Sequence, residues 1–319
     1  MFKHLLAPLD GSITAECTLP HLVALARLYQ ARVTLVRVLD FPETGLDKQP
    51  TDPLQWQLYK AEAKAYLDDV AERLRTEADL ETESVLLEGE AAQSICDFAH
   101  SNDVAIIIIS SHGQSGLSRW NVSSVAHKIV QRAHRSVMIV RAYNAGEQAL
   151  TGLRYARLLV PLDGSQRAEG VLSTADTIAR GHEAQLLLAY VVVKPEMPHQ
   201  FPLTADDKEL IEHFVVRICE AATQYMELLR DRLMYPFELR LLTSQNIALA
   251  LHGLAEEAEV DMILLGAHGS SGKPKWPYGS VTTSFIEYGS VPLLVVQDLD
   301  PEEVEPTQAE KAAEEKKGH

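Results

Sequence analysis

The stretch His4-Leu5-Leu6-Ala7-Pro8-Leu9-Asp10-Gly11-Ser12 returns 153 residues later as Arg157-Leu158-Leu159-Val160-Pro161-Leu162-Asp163-Gly164-Ser165. Each copy is an apolar run that ends on Pro-Leu-Asp-Gly-Ser, the pattern of a buried strand running into a turn. A second pair of landmarks lies downstream of each. Gly266-Ala267-His268-Gly269, nine residues, then Gly279-Ser280 has its earlier counterpart in Ser110-Ser111-His112-Gly113, nine residues, then Ser123-Ser124. These landmarks keep an offset of 156, so a small insertion separates the two pairs in the second half. A period near 150 residues marks a duplicated domain rather than a solenoid.

Within each half, apolar runs alternate with helical patterns. Strands are expected near 4–9, 32–38, 83–88, 104–110 and 136–141, and again near 157–162, 185–193, 237–243, 261–266 and 291–297. Tyr59, Ala63, Tyr66, Leu67, Val70 and Leu74 form one apolar face at helical spacing, as do Ile247, Leu251, Leu254 and Ala255 in the second half. Strand–helix alternation with continuous apolar strands predicts an α/β fold, a parallel sheet covered by helices on both faces. The expected division is a first domain over 1–143, a linker over 144–153, a second domain over 154–298 and a tail over 299–319. From Asp298 onward the chain carries eight acidic and three basic residues with almost no apolar content, the composition of a disordered or frayed terminus. Pro-rich stretches follow the second strand of each half, at 41–53 and 194–206, and read as mobile loops at the sheet's carboxyl edge.

Composition bounds the function. The net charge of -16 argues against nucleic-acid or anionic-membrane binding, which needs a basic face. The longest apolar runs fall far short of the ~20 residues of a membrane-spanning helix. With the first strand starting at His4, no signal peptide is expected ahead of it, and Cys17, Cys96 and Cys219 match no metal or CxxC spacing. The three cysteines fall in expected helices and read as reduced packing thiols of a cytoplasmic chain. No P-loop, dinucleotide fingerprint, HExxH helix or GxSxG elbow is present, and no catalytic or metal-binding set stands out.

Ligands of an open parallel sheet bind outside the carboxyl ends of the strands, where strand order reverses. Asp10 or Asp163 ends the first strand of each half, Val38 or Val191 ends the second, and the fourth runs into the glycine turn. Gly266 and Gly269 are expected to take positive φ and let a ligand approach the backbone. Gly279 and Ser280 open a helix whose free N–H groups attract phosphate, with the Ser280 hydroxyl as a cap or a phosphate donor. In the first half Ser110 and Ser123 stand where the second has glycine, which costs free energy at positive φ and puts a Cβ where backbone should meet phosphate. His112 and His268 are read as bracing the turn or lining the pocket rather than as general bases. Lys273 and Lys275 are candidates to neutralise phosphate, Trp120 and Trp276 read as packing residues, and Pro274 and Pro277 stiffen the second loop.

On the two Pro-Leu-Asp-Gly-Ser strands, the stretch Ser111-His112-Gly113-Gln114-Ser115-Gly116-Leu117-Ser118-Arg119-Trp120 and the glycine pattern of 266–280, the chain resembles a tandem universal stress protein over nearly all of residues 1–298. The resemblance implies two Rossmann-like domains (the adenine nucleotide alpha hydrolase-like type), each a five-stranded parallel sheet in the order 3-2-1-4-5. It further implies that the second domain holds ATP, with or without Mg2+, through Asp163, Val191, Gly266, Gly269, Gly279 and Ser280, with Pro161, His268 and Val281 as neighbours. In the first domain the matching positions are Asp10, Val38 and Gly113, with Ser123 and Ser124 in the helix-opening places. The implied partners are an adenine nucleotide and a protein that reads its occupancy. The two domains are expected to pair within the chain, and a further homodimer is compatible with that. A nucleotide-dependent regulatory or protective role in the stress response is expected. Slow ATP hydrolysis or phosphate transfer, and a nucleotide-free interaction scaffold, are the alternatives.

Overall fold

A computed structural model describes residues 2–40, 53–113, 122–142, 149–193, 205–269 and 278–297. The chain divides into two compact units, Met1–Arg154 and Tyr155–His319.

The first unit runs β1 (His4–Pro8), α1 (Ile13–Glu16), α2 (Leu19–Tyr29), β2 (Arg32–Leu39), α3 (Pro53–Ala78), β3 (Thr82–Glu88), α4 (Ala91–Ser101), β4 (Ile106–Ser110), α5 (Ser124–Arg132) and β5 (Ser136–Val140). Its strands pair in parallel in the order β3-β2-β1-β4-β5. Leu5 of β1 pairs with Val33 on one side and Ile106 on the other, which fixes the register at the centre of the sheet. Ile106 to Ile109 are all buried, so alternate side chains on both faces of β4 lie under cover. That two-sided burial is why the strands read as unbroken apolar runs instead of alternating ones. On α3, Ala63, Leu67, Val70 and Leu74 are buried while Tyr59 is exposed.

The second unit repeats the plan: β6 (Arg157–Leu162), α6 (Gln166–Glu169), α7 (Leu172–His182), β7 (Gln185–Val193), α8 (Ala205–Leu228), β8 (Phe237–Ser244), α9 (Ile247–Glu257), β9 (Met262–Gly266), α10 (Ser280–Tyr288) and β10 (Leu293–Val296). Its parallel order is β8-β7-β6-β9-β10, the same topology as the first unit. In each unit the direction of strand addition reverses at the first strand, between β1 and β4 and between β6 and β9. The carboxyl ends of those two strands splay their loops apart and leave a crevice.

Two local readings change. Cys96 and Cys219 lie in helices, but Cys17 is the residue just after α1, where burial pushes its thiol up to about 11. The hydroxyl of Tyr66, read as one more member of an apolar face, instead donates to a carboxylate. Among the described residues, no helix is long and apolar enough to cross a membrane.

Candidate functional site

The turn after β6 begins the second-domain site. Asp163 Oδ1 accepts from the backbone N–H of Ser165 at 3.0 Å and from its hydroxyl at 2.6 Å. Ser165 in turn caps α6 by accepting from Ala168 N at 3.2 Å. Gly164 sits at φ +81, a conformation that an L side chain resists, and this is what the Asp-Gly-Ser spelling provides. The helix cap is therefore Ser165, and the aspartate is a turn former whose second oxygen is aimed across the crevice.

That second oxygen, Oδ2, occupies the space a Cβ on Gly269 would need. Neither Gly266 nor Gly269 adopts positive φ, contrary to expectation; the positive-φ glycine of this unit's site is Gly164 in the aspartate turn instead. Gly269 is glycine because a carboxylate lies against it. At Gly266 a Cβ would come within 3.2 Å of the Arg167 carbonyl oxygen, so α6 and the end of β9 approach backbone to backbone. The glycines serve close approach rather than left-handed geometry.

Gly279 is the N-cap of α10, with φ -68 and ψ 162, and it offers no side chain to the first turn. Ser280 is the first helical residue and not the cap. Thr282 Oγ1 donates to the Gly266 carbonyl at 3.0 Å and Gly279 N donates to Ala267 O at 2.9 Å, which ties the helix start to the strand end. Pro161, Asp163, Val191, Gly266, His268, Gly269, Gly279, Ser280 and Val281 all line one cavity of about 430 Å³, closed at its apolar end by Ile247 and Leu251. Its size falls in the roughly 300–1,000 Å³ range of small-molecule sites.

The first domain has a counterpart of about 380 Å³, lined by Asp10, Val38, Gly113, Ser123 and Ser124. Asp10 repeats the turn, accepting from Ser12 N at 2.9 Å and Ser12 Oγ at 2.5 Å, and its Oδ2 stands where a Cβ on Gly113 would be. The serines change the other wall. Ser123 Oγ accepts from Ala126 N at 3.2 Å and caps α5. Ser110 Oγ accepts from His112 N at 3.3 Å and donates to His112 O at 2.7 Å. Since the equivalent glycines do not use positive φ, serine costs no backbone strain here. Its effect is chemical: two amides at this wall already have an acceptor.

His112 and His268 are both buried and both line their cavities. Ser111 Oγ accepts from Ala142 N at 3.2 Å and lies 3.0 Å from His112 Nδ1. The hydroxyl thus braces the imidazole against the strand end, whichever of the two donates. Ala267 replaces Ser111 in the second domain, so this brace is not duplicated.

One constellation escaped the sequence reading. Glu16, the last residue of α1, accepts from Tyr66 Oη at 3.1 Å and from both Nη atoms of Arg73 at 3.0 Å. Glu169, the last residue of α6, pairs with Arg232 at 2.5 Å, and Tyr225 stands beside it. The hydroxyls of Tyr66 and Tyr225 are both pushed well above the ordinary phenol range, by burial first and then by these glutamates. The glutamates keep the 153 offset of the aspartate turns, while the Tyr and Arg partners share their own offset of 159. Equal offsets on two separate segments were the available signal.

Lys273, Lys275, Trp120, Trp276, Pro274 and Pro277 lie outside the described residues, as do residues 144–148 of the linker, the stretches 41–52 and 194–204, and the tail from Asp298. Among the described residues, no group of His, Cys, Asp or Glu is placed to hold a metal ion.

The Universal stress protein family profile matches this chain twice, over residues 1–141 and 154–297. A universal stress protein of Methanocaldococcus jannaschii is 28% identical over 142 residues, covering 44% of this chain and 83% of its own length. One from Bacillus subtilis is 29% identical over 150 residues, covering 44% of this chain and 100% of its own. The crystal structure of a universal stress protein from Archaeoglobus fulgidus shares the fold across 93% of this chain and 98% of its own, with a TM-score of 0.67 and 18% identity. Two profile matches, each spanning one five-stranded unit with its aspartate turn and its crevice, make this chain a member of the universal stress protein family, with the family's domain present in tandem.

Proposed function

We propose that the second-domain crevice binds ATP, and that its occupancy is the signal this protein contributes to a regulatory or protective role in the stress response. The observation that carries the reading is the contrast at the two helix starts: Ser123 caps α5 with its own hydroxyl, whereas Gly279 leaves the first turn of α10 without a side-chain cap. Uncapped N–H groups and the positive end of the helix dipole favour phosphate. Apolar Val191, Ile247 and Leu251 suit a purine, and the Asp163 carboxylate suits the ribose hydroxyls. Gly266 and Gly269 keep the intervening wall free of side chains, as a phosphate chain lying along backbone requires. Mg2+, where present, would be carried by the phosphates.

The test is calorimetry with ATP on the full chain, together with mass identification of nucleotide in the purified protein. One ATP per chain is expected, and Gly279→Glu should abolish it by placing a carboxylate at the phosphate position. Two equivalent sites, or none, would overturn the reading.

A further inference from the structure

The second domain holds another cavity, of about 710 Å³, on the other face of its sheet. The crevice read for ATP is walled by α9 and α10, whereas this cavity is walled by α8. Right-handed crossovers from β7 out to β8 and from β8 back to β9 put α8 and α9 on opposite faces of a parallel sheet. Among the described residues, the two cavities share only Asp163 and Tyr190.

Phe214, Arg217, Ile218, Ala221 and Tyr225 recur at helical spacing, so one face of α8 forms the wall. From Phe214 to Tyr225 that face runs about 16 Å, at 1.5 Å per residue. Phe214, Arg217 and Ala221 are nevertheless exposed, so this stretch of the face is left uncovered. Ala221 and Ala222 are small and leave room between Phe214 at one end and Tyr190 at the other, whose ring meets that of Tyr225 edge-on at 6.1 Å. The first domain is built differently at the same place. Arg37 stands where the second domain has Tyr190, lies over the Tyr66 ring at 5.2 Å and packs against Gly11. Leu58 stands where it has Arg217. In the second domain the cation has thus passed from the strand to the rim of the helix.

Polar groups mark the two ends. Arg217 is exposed and, among the described residues, unpaired, so its end suits an anion. At the other end Tyr225 Oη is buried and completes no hydrogen bond. The carboxylates of Asp163 and Glu169 act on that hydroxyl and make its surroundings negative. A group settling there has to donate toward the carboxylates and accept from Tyr225. A hydroxyl does both; an ammonium only donates and a carboxylate only accepts. The aromatic walls between the ends suit a flat ring. We infer that this cavity binds an aromatic hydroxy acid, with its ring between Tyr190 and Phe214, its carboxylate on Arg217 and its hydroxyl on Tyr225. The inference does not rest on the ATP reading, since the ligand lies on the other face of the sheet.

The test is equilibrium dialysis of 4-hydroxycinnamate against the full chain without added nucleotide. One molecule per chain is expected. Its methyl ester, which lacks the charge that Arg217 meets, and cinnamate, which lacks the hydroxyl, should each bind about tenfold more weakly. Arg217→Leu should erase the preference for the acid over the ester. Tyr225→Phe should erase the preference for 4-hydroxycinnamate over cinnamate. Ala221→Trp, at an exposed helical position, should abolish binding while the thermal unfolding midpoint stays unchanged. No binding, an ester as tight as the acid, preferences that survive the two substitutions, or binding that survives Ala221→Trp would each overturn the inference. A chain that takes up the probe through Ala221 and no ATP would overturn the ATP reading and leave this one standing, and ATP uptake without the probe would do the reverse.

Discussion

Gly269 and Gly113 show how little a single residue reveals about its own reason. Both were legible as essential small residues, yet the ground proved to be a carboxylate pressed against the backbone and not a left-handed φ. The distinction has a consequence. Ala at either position must push the aspartate out of its turn, so Gly269→Ala should weaken ATP strongly in calorimetry and lower stability by about 1–3 kcal/mol. Gly113→Ala should lower stability similarly and leave ATP binding intact. A Gly269→Ala chain with unchanged ATP affinity would show that Asp163 takes no part in the site.

A buried histidine gives the residue scale a second prediction. Burial lowers the His21 pKa from 6.5 to about 4, and the equivalent position in the second domain is Thr174. The unfolded chain therefore binds this proton between about pH 6.5 and pH 4 while the folded chain does not. The stability contributed by keeping His21 neutral is complete above about pH 6.5 and is lost as pH falls toward 4, an effect of order 3 kcal/mol. Denaturation followed from pH 7 to 4 should show the first domain losing stability through this window, and His21→Thr should flatten that slope. An unchanged slope in the variant would assign the acid sensitivity to other groups.

At the scale of elements, the short helix between the aspartate turn and the rest of each domain is held at both ends. The long helix, or its carboxyl-terminal extension, grips the glutamate at one end, and the serine cap and aspartate stand at the other. Glu169→Gln should therefore weaken ATP by loosening Asp163, and its effect should largely vanish in an Asp163→Asn background. A double-mutant cycle would then show a coupling of about 0.5–2 kcal/mol. Glu16→Gln should leave ATP untouched. Fully additive effects of Glu169→Gln and Asp163→Asn would mean that the grip is unconnected to the site.

The strands themselves were readable to within a few residues, because burial on both faces writes each one as an apolar run. The grip was not, because Glu16 meets Arg73 across 57 residues and nothing local to either foretells the other. Of the two roles read for Ser280, cap or phosphate donor, the first is removed for a local reason: a Gly-Ser pair leaves open which residue precedes the first turn, and only the backbone angles at Gly279 decide it.

At the scale of the whole molecule, the chain carries two copies of one fold with unequal walls. Ligand binding to one copy should stabilise that copy by mass action, by about 2.7 kcal/mol at a hundredfold excess over Kd. Hydrogen exchange with and without ATP should accordingly show added protection within 155–297, concentrated at the start of α10 and the turn after β6. Protection rising equally within 2–142 would contradict a single ATP site.

The sequence alone determined that the protein is duplicated, that each copy is a parallel α/β sheet, and that its candidate site residues gather at the carboxyl edge beside the first strand. Those properties follow from repeated spelling and from the periodicity of burial, which neighbouring residues carry between them. Only the tertiary structure decided why Gly113, Gly266 and Gly269 are glycine, which serine caps which helix, and that two first-domain amides already donate to serine. Those facts depend on atoms brought within 3 Å by the closing of the sheet, and a hydrogen bond or a van der Waals conflict exists only at that distance.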